Sequence, residues 1–204
     1  MGLADGSDLP IERYCHEWET IVGQSADRSR TSEYPVRYDL GLQSSLLLYV
    51  LVRVRQPKVL CETGVARGFS SLVILAALER NDSGSLWSLD PDPKAGDAVP
   101  LSLRDRWSRP AFNGREAESS LREFLGSMAP IDLFLHDSNH ESSWMRFELS
   151  QALQHMSSNS FLLVDDAQQN TVFAEIAPES QRWLLMESRK SLGIVAVSEH
   201  PSPK

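Results

Sequence analysis

The 204-residue chain predicts one α/β domain: a three-layer open sheet of about seven mostly parallel strands, with helices on both faces and an antiparallel edge strand. Three observations carry this. From Lys58 onward, short apolar runs alternate with stretches of helical periodicity, the pattern of parallel strands joined by right-handed crossover helices. The chain closes on two short apolar runs, 183–186 and 193–197, with no room for a helix between them, so an antiparallel pair is expected at one edge. The length suits a single core, and a hydrophobic content of 41% is enough to build it.

In chain order, Ile11, Tyr14, Cys15, Trp18 and Ile21 recur at helical spacing and predict a helix over 10–23. Residues 24–38 are polar, contain Pro35 and read as a loop. An apolar helix over 42–55 stops before Pro57. Residues 9–56 thus form an N-terminal helical segment expected to contribute to a substrate site. A buried strand follows at 58–63, a helix at 69–79, a turn at 81–84 and a second strand at 85–89. Residues 91–100 are loop-like, 101–107 suggest a short helix and 110–113 a weak third strand. A helix is expected over 116–125 and strands over 131–136 and 160–164. Between those strands, Met145, Leu149, Ala152 and Met156 mark one stripe of a helix over 141–156. Ser138 to Glu141 fits a capping box at its start. Residues 1–8 and 200–204 are expected to be disordered.

The formal net charge of −8 disfavours a phosphate-backbone partner, so no nucleic acid is expected. Arg104, Arg106 and Arg109 are the densest basic group and read as solvated surface. Cys15 and Cys61 make no disulfide framework, which points to a reducing compartment. The longest apolar run, 46–52, ends at Arg53, far short of the ~20 residues that span a bilayer. The first ten residues lack the features of a signal peptide, and the expectation is a cytoplasmic protein with no membrane partner.

Ligands of such sheets bind beyond the carboxyl ends of the strands, so residues just after each strand are the candidates. The first group is Glu62-Thr63-Gly64-Val65-Ala66-Arg67-Gly68, which leaves a strand and opens a helix at Phe69-Ser70. Gly64 and Gly68 permit a tight turn and close backbone approach to a ligand. Ala66 stands where a dinucleotide fingerprint needs its middle glycine, which disfavours a pyrophosphate. Glu62, two residues before Gly64, suits a ligand bearing an ammonium group. Asp90 ends the next strand, where a carboxylate can accept hydrogen bonds from ribose hydroxyls.

At these residues the chain resembles class I S-adenosylmethionine-dependent methyltransferases, over about residues 40 to 198. The resemblance implies that Glu62, Gly64, Ala66, Gly68, Ser70, Asp90 and Asp137 surround S-adenosylmethionine. It also implies that 114–116 lies near the adenine, and that the sheet has seven strands with an antiparallel one in the last pair.

The second group lies at the ends of the fourth and fifth strands. Asp137 and His140 follow one; Asp165 and Asp166 end the other. Neighbouring strands lie about 4.8 Å apart, so three carboxylates converge, and uncompensated they raise one another's pKa. A divalent cation relieves that, and oxygen ligands favour Mg²⁺, Mn²⁺ or Ca²⁺ over zinc. A neutral His140 facing the same cleft could take a proton from a hydroxyl. His136 alternates away from Asp137 and reads as structural; Asn170 is a substitute ligand.

This arrangement resembles metal-dependent, macrocin-type sugar O-methyltransferases. The resemblance implies Asp137, Asp165 and Asp166 as metal ligands, Mg²⁺ as the ion, and His140 as the catalytic base. The expected activity is O-methylation of a natural-product or sugar hydroxyl on a small molecule. The chain has no sizeable added lid, so Tyr34, Arg37 and Tyr38 are candidate substrate contacts, and a homo-oligomer is another way to close the site. Two other readings stand beside this one: a non-catalytic S-adenosylmethionine-binding partner protein, and an oxygenase of the cephalosporin hydroxylase type.

Overall fold

The computed structural model describes residues 10–28, 32–176 and 178–198; the disorder expected at 1–8 and 200–204 falls outside them. Seven strands form one sheet: β1 (Val59–Thr63), β2 (Ser85–Leu89), β3 (Trp107–Ser108), β4 (Ile131–His136), β5 (Met156–Asp165), β6 (Arg182–Met186) and β7 (Ser191–Val197). Their order is β3-β2-β1-β4-β5-β7-β6. Strands β1 to β5 pair in parallel, and β7 runs antiparallel to both β5 and β6. The order reverses between β1 and β4, which opens a crevice beyond their carboxyl ends.

Among the described residues, six α-helices flank the sheet: α1 (Ile11–Arg28), α2 (Leu42–Arg55), α3 (Phe69–Asn81), α4 (Ala117–Ser127), α5 (Ser142–His155) and α6 (Val172–Ile176). Strand alternation divides the core in two. Leu60, Leu133, Leu135 and Leu163 pack with α1, α2 and α3, whereas Cys61, Phe134, Leu162 and Val164 pack with α4, α5 and α6. Helix α3 is buried from Phe69 to Leu78, so it lies between the sheet and the α1–α2 pair. Each fully buried leucine contributes about 1.5–3 kcal/mol, and this interior fixes the strand ends that carry the polar residues.

Several elements differ from expectation. Helix α1 continues to Arg28, and residues 36–38 form a 3₁₀ turn within the expected loop. The third strand falls at Trp107–Ser108 rather than 110–113: Pro110 has no N–H for a ladder, and Trp107 Nε1 donates to Ser88 Oγ at 2.7 Å. The capping box does not form, because Ser138 Oγ donates to Glu148 and the helix starts only after Glu141. Arg104 and Arg109 donate to backbone carbonyls of the 91–100 loop, while Arg106 pairs with Glu79 and Asp82. Among the described residues, no helix is long and apolar enough to cross a membrane.

The β6–β7 turn is pinned to the body at its tip. Its Glu187 N–H donates to Lys190 O at 2.8 Å. The Glu187 carboxylate accepts from Gln43 N at 3.1 Å and Ser44 N at 2.7 Å, and so caps the start of α2.

Candidate active site

A cavity of about 840 Å³ opens at the carboxyl ends of the strands. That lies in the upper part of the usual small-molecule range of about 300–1,000 Å³. The loop after β1 forms one end through Gly64, Val65 and Ala66, joined there by Asp90, Gly114 and Ala117. Asp137, His140, Asp165 and Asp166 form the other end. Tyr34, Arg37 and Tyr38, from the N-terminal segment, also line the cavity.

Gly64 shows why this loop needs glycine. Its φ is +79°, and a Cβ there would overlap the carbonyl oxygen of Asp137. Close packing of the β1 and β4 ends therefore brings the two groups of residues together, and Asp137 N donates to Thr63 O at 2.9 Å. Gly68, at φ +91°, starts α3 and would meet Val99 and Gly96. Ala66 adopts φ +45°, unusual for a residue with a Cβ.

Asp90 organises this loop. Its Oδ2 accepts from Val65 N at 2.9 Å and Ala66 N at 3.2 Å, and its Oδ1 accepts from Asp92 N at 2.8 Å. A carboxylate offers about four acceptor positions, so capacity remains for a ligand hydroxyl. Beside it, Tyr34 donates its hydroxyl to Asp92, whose carboxylate raises the phenol's pKa together with burial.

Glu62, expected beside an ammonium group, stands behind the loop, and its Oε2 is buried without a partner. It is fully buried, absent from the cavity lining, and accepts from Ser71 and from Ser88 Oγ, the latter at 2.7 Å. Burial pushes its carboxyl up to about 7, against the hydrogen bonds from Ser71, Ser88 and Ser70. Gly68 and Ser70 are likewise outside the lining.

At the other end, one ligand atom each from Asp137, His140 and Asp165 lie within 4.8 Å of one another. Asp165 is fully buried, and its Oδ1 has no hydrogen-bond donor. Burial and the nearby Asp165 charge push the Asp137 carboxyl well above the ordinary range. Burial raises Asp165 as well, against the charge of Lys190, whose Nζ stands 3.3 Å from Asp165 Oδ2. Two adjacent carboxylates, one with a buried oxygen that has no donor, beside an imidazole, fit a hard divalent ion. Asp166, the third expected ligand, stays outside this group: at φ +50° its oxygens accept from Gln168 Nε2 at 3.3 Å and Gln169 Nε2 at 2.8 Å. Asn170 donates to His140 O at 2.9 Å and accepts from Val172 N at 2.9 Å, so it serves the local turn.

His140 Nε2 is buried without a partner. Burial and the neighbouring His136 hold its imidazole below the ordinary pKa, which keeps it neutral and able to accept a proton. Its ring meets that of His136 edge-on, with centroids 5.4 Å apart.

Beneath His136 lies a buried acid that sequence reasoning passed over, Glu148. It accepts from Thr63 Oγ1 and from Ser138 Oγ at 2.7 Å, and faces His136 Nδ1 at 2.7 Å. Burial alone would raise its carboxyl, but the neighbouring His136 and these hydrogen bonds hold it below the ordinary value. The signal was a glutamate on the apolar stripe of α5, between Met145 and Leu149. His136, expected to be structural, is thereby fixed against His140.

The sequence model of a methyltransferase domain matches residues 61–167. No curated protein matches the chain in sequence. Solved structures share the fold at low identity. An O-methyltransferase structure from Klebsiella pneumoniae, titled as putative, is 16% identical with a TM-score of 0.66, covering 95% of this chain and 92% of that one. An O-methyltransferase from Bacillus cereus, solved with S-adenosylhomocysteine, is 16% identical with a TM-score of 0.63, covering 89% and 90%. The O-methyltransferase TomG of tomaymycin synthesis from Streptomyces achromogenes, solved with S-adenosylmethionine, is 14% identical with a TM-score of 0.64, covering 94% and 100%.

Proposed function

The chain belongs to the methyltransferase domain family, and from that premise we propose that it transfers the methyl group of S-adenosylmethionine to a hydroxyl of a small molecule. The observation that carries this reading is a single cavity joining the glycine loop and Asp90 to His140 and the Asp137–Asp165 pair. Its two ends offer a place for a nucleoside and a place for a hydroxyl to lose its proton. The structural neighbours titled as O-methyltransferases support oxygen as the acceptor.

In this reading Asp90 accepts from the ribose, and the backbone of Gly64 to Ala66 lies under the cofactor. Glu62 acts through Ser71 and Ser88, holding the start of α3 against β2. Asp137 and Asp165 hold a divalent cation, which when bound supplies a positive charge that lowers the pKa of a substrate hydroxyl. His140 Nε2 takes the hydroxyl proton. The substrate oxygen then forms its bond to the methyl carbon as the carbon–sulfur bond breaks, with the electron pair leaving on sulfur. Tyr34, Arg37 and Tyr38 contact the acceptor, and holding both reactants in one cavity supplies proximity.

Calorimetric titration with S-adenosylhomocysteine, in Mg²⁺ and again in EDTA, tests the reading. Binding that Asp90→Ala abolishes is the expected result. No binding in either condition overturns it.

A further inference from the structure

The acidic end of the cavity already holds a cation of its own. Lys190 lines the cavity, and its Nζ stands 3.3 Å from Oδ2 of Asp165, whose side chain is 1% exposed. The position is built into the fold. Lys190 closes the β6–β7 turn, which Glu187 fastens to the start of α2. On the other side of the turn, Gln168 donates to Arg189 O at 3.4 Å and accepts from Ser191 Oγ. Arg37, the other strong base lining the cavity, is exposed and turned onto its neighbour Tyr38.

We propose that Lys190 is the resident counter-ion of the Asp137–Asp165 pair, and that a divalent ion enters only by displacing its ammonium from Asp165. This rests on the reading of that pair as an ion site. The oxygen Lys190 occupies sits beside Oδ1, the oxygen with no donor, so an ion drawn to Asp165 meets the ammonium at once. Two positive charges a few ångströms apart in a half-buried pocket repel strongly. The lysine side chain is 22% exposed on a flexible four-carbon stem, which gives the ammonium a way out to water. The apparent affinity for the ion is therefore lower than the same carboxylates would show alone, by the fraction of time the lysine leaves them free.

Mn²⁺ titration followed by electron paramagnetic resonance tests this on the full chain without substrate. Lys190→Met and Lys190→Gln remove the charge; Lys190→Arg keeps it. Both neutral variants are expected to bind Mn²⁺ at least about tenfold more tightly than the wild type, with Lys190→Arg within about threefold of it. S-adenosylhomocysteine titration of each variant reports that the cofactor end is intact. If the wild type binds Mn²⁺ and the neutral variants bind no more tightly, the role of Lys190 is overturned and the ion site stands. Equal tightening in Lys190→Arg also overturns it, because charge is then not the cause. If no chain binds Mn²⁺ while all bind S-adenosylhomocysteine, the ion site falls together with the role of Lys190.

Discussion

The two ends of the cavity differ in whether the polar atoms that line it are already paired. At the glycine loop, Asp90 gathers three backbone amides. Behind that loop, Glu62 accepts from Ser71 and Ser88 through Oε1, while its Oε2 is buried without a partner. At the acidic end, Asp165 Oδ1 and His140 Nε2 are buried without partners, and two raised carboxyls face one another. The first end is shaped before a ligand arrives. The second carries unmet polar demand that only a ligand, a proton or a cation meets. In the proposed reaction, binding and chemistry are thereby separated in space, so each should be open to perturbation alone.

The largest expected effect joins the ends instead of separating them. Gly64→Ala forces a Cβ into the Asp137 carbonyl at a positive φ, and is expected to abolish S-adenosylhomocysteine binding and cost about 3 kcal/mol or more of stability. Denaturant titration with calorimetry checks this; an unaltered midpoint would contradict the packing described.

His140→Ala sharpens the comparison. Turnover is expected to fall about 10²- to 10⁴-fold while S-adenosylhomocysteine affinity stays within about twofold. Equal loss of both would mean that the ends are not separable.

The last effect leaves turnover aside and concerns stability with pH. Folded Glu62 keeps its proton up to about pH 7, whereas an ordinary glutamate releases it near 4.5, so the folded state binds more protons across that window. Its contribution is fully present below pH 4.5 and is lost as pH rises through 7, by up to about 3 kcal/mol. Glu62→Gln should stabilise the chain more at pH 8 than at pH 5, relative to wild type. Parallel denaturation curves at the two pH values would refute the buried acid.

Where local pattern decides, the sequence was legible. Strands over 85–89 and 131–136 and the helix over 42–55 lie where apolar runs and Pro57 placed them. Strand β5 begins earlier than its apolar part, because Ser157 and Asn159 are polar and Asn159 takes a positive φ. Within the site, strand ends brought Asp90, Asp137, His140 and Asp165 to one cavity as expected. What remained hidden depended on neighbours remote in sequence. Burial of Glu62 needs serines from both α3 and β2, and Lys190 reaches Asp165 only because β7 pairs with β5. Asp166 was diverted by local glutamines, Gln168 and Gln169, whose reach a strand pattern does not encode.

The cap that Glu187 places on α2 also bears on how the chain emerges from a ribosome. Ser44 and Glu187 are 143 positions apart, so the first turn of α2 keeps its amides open to water until those further residues have been made. At about 5–20 residues per second that wait lasts roughly 7–30 s. The start of α2 is thus left uncapped for that interval, and the β6–β7 hairpin is what closes it.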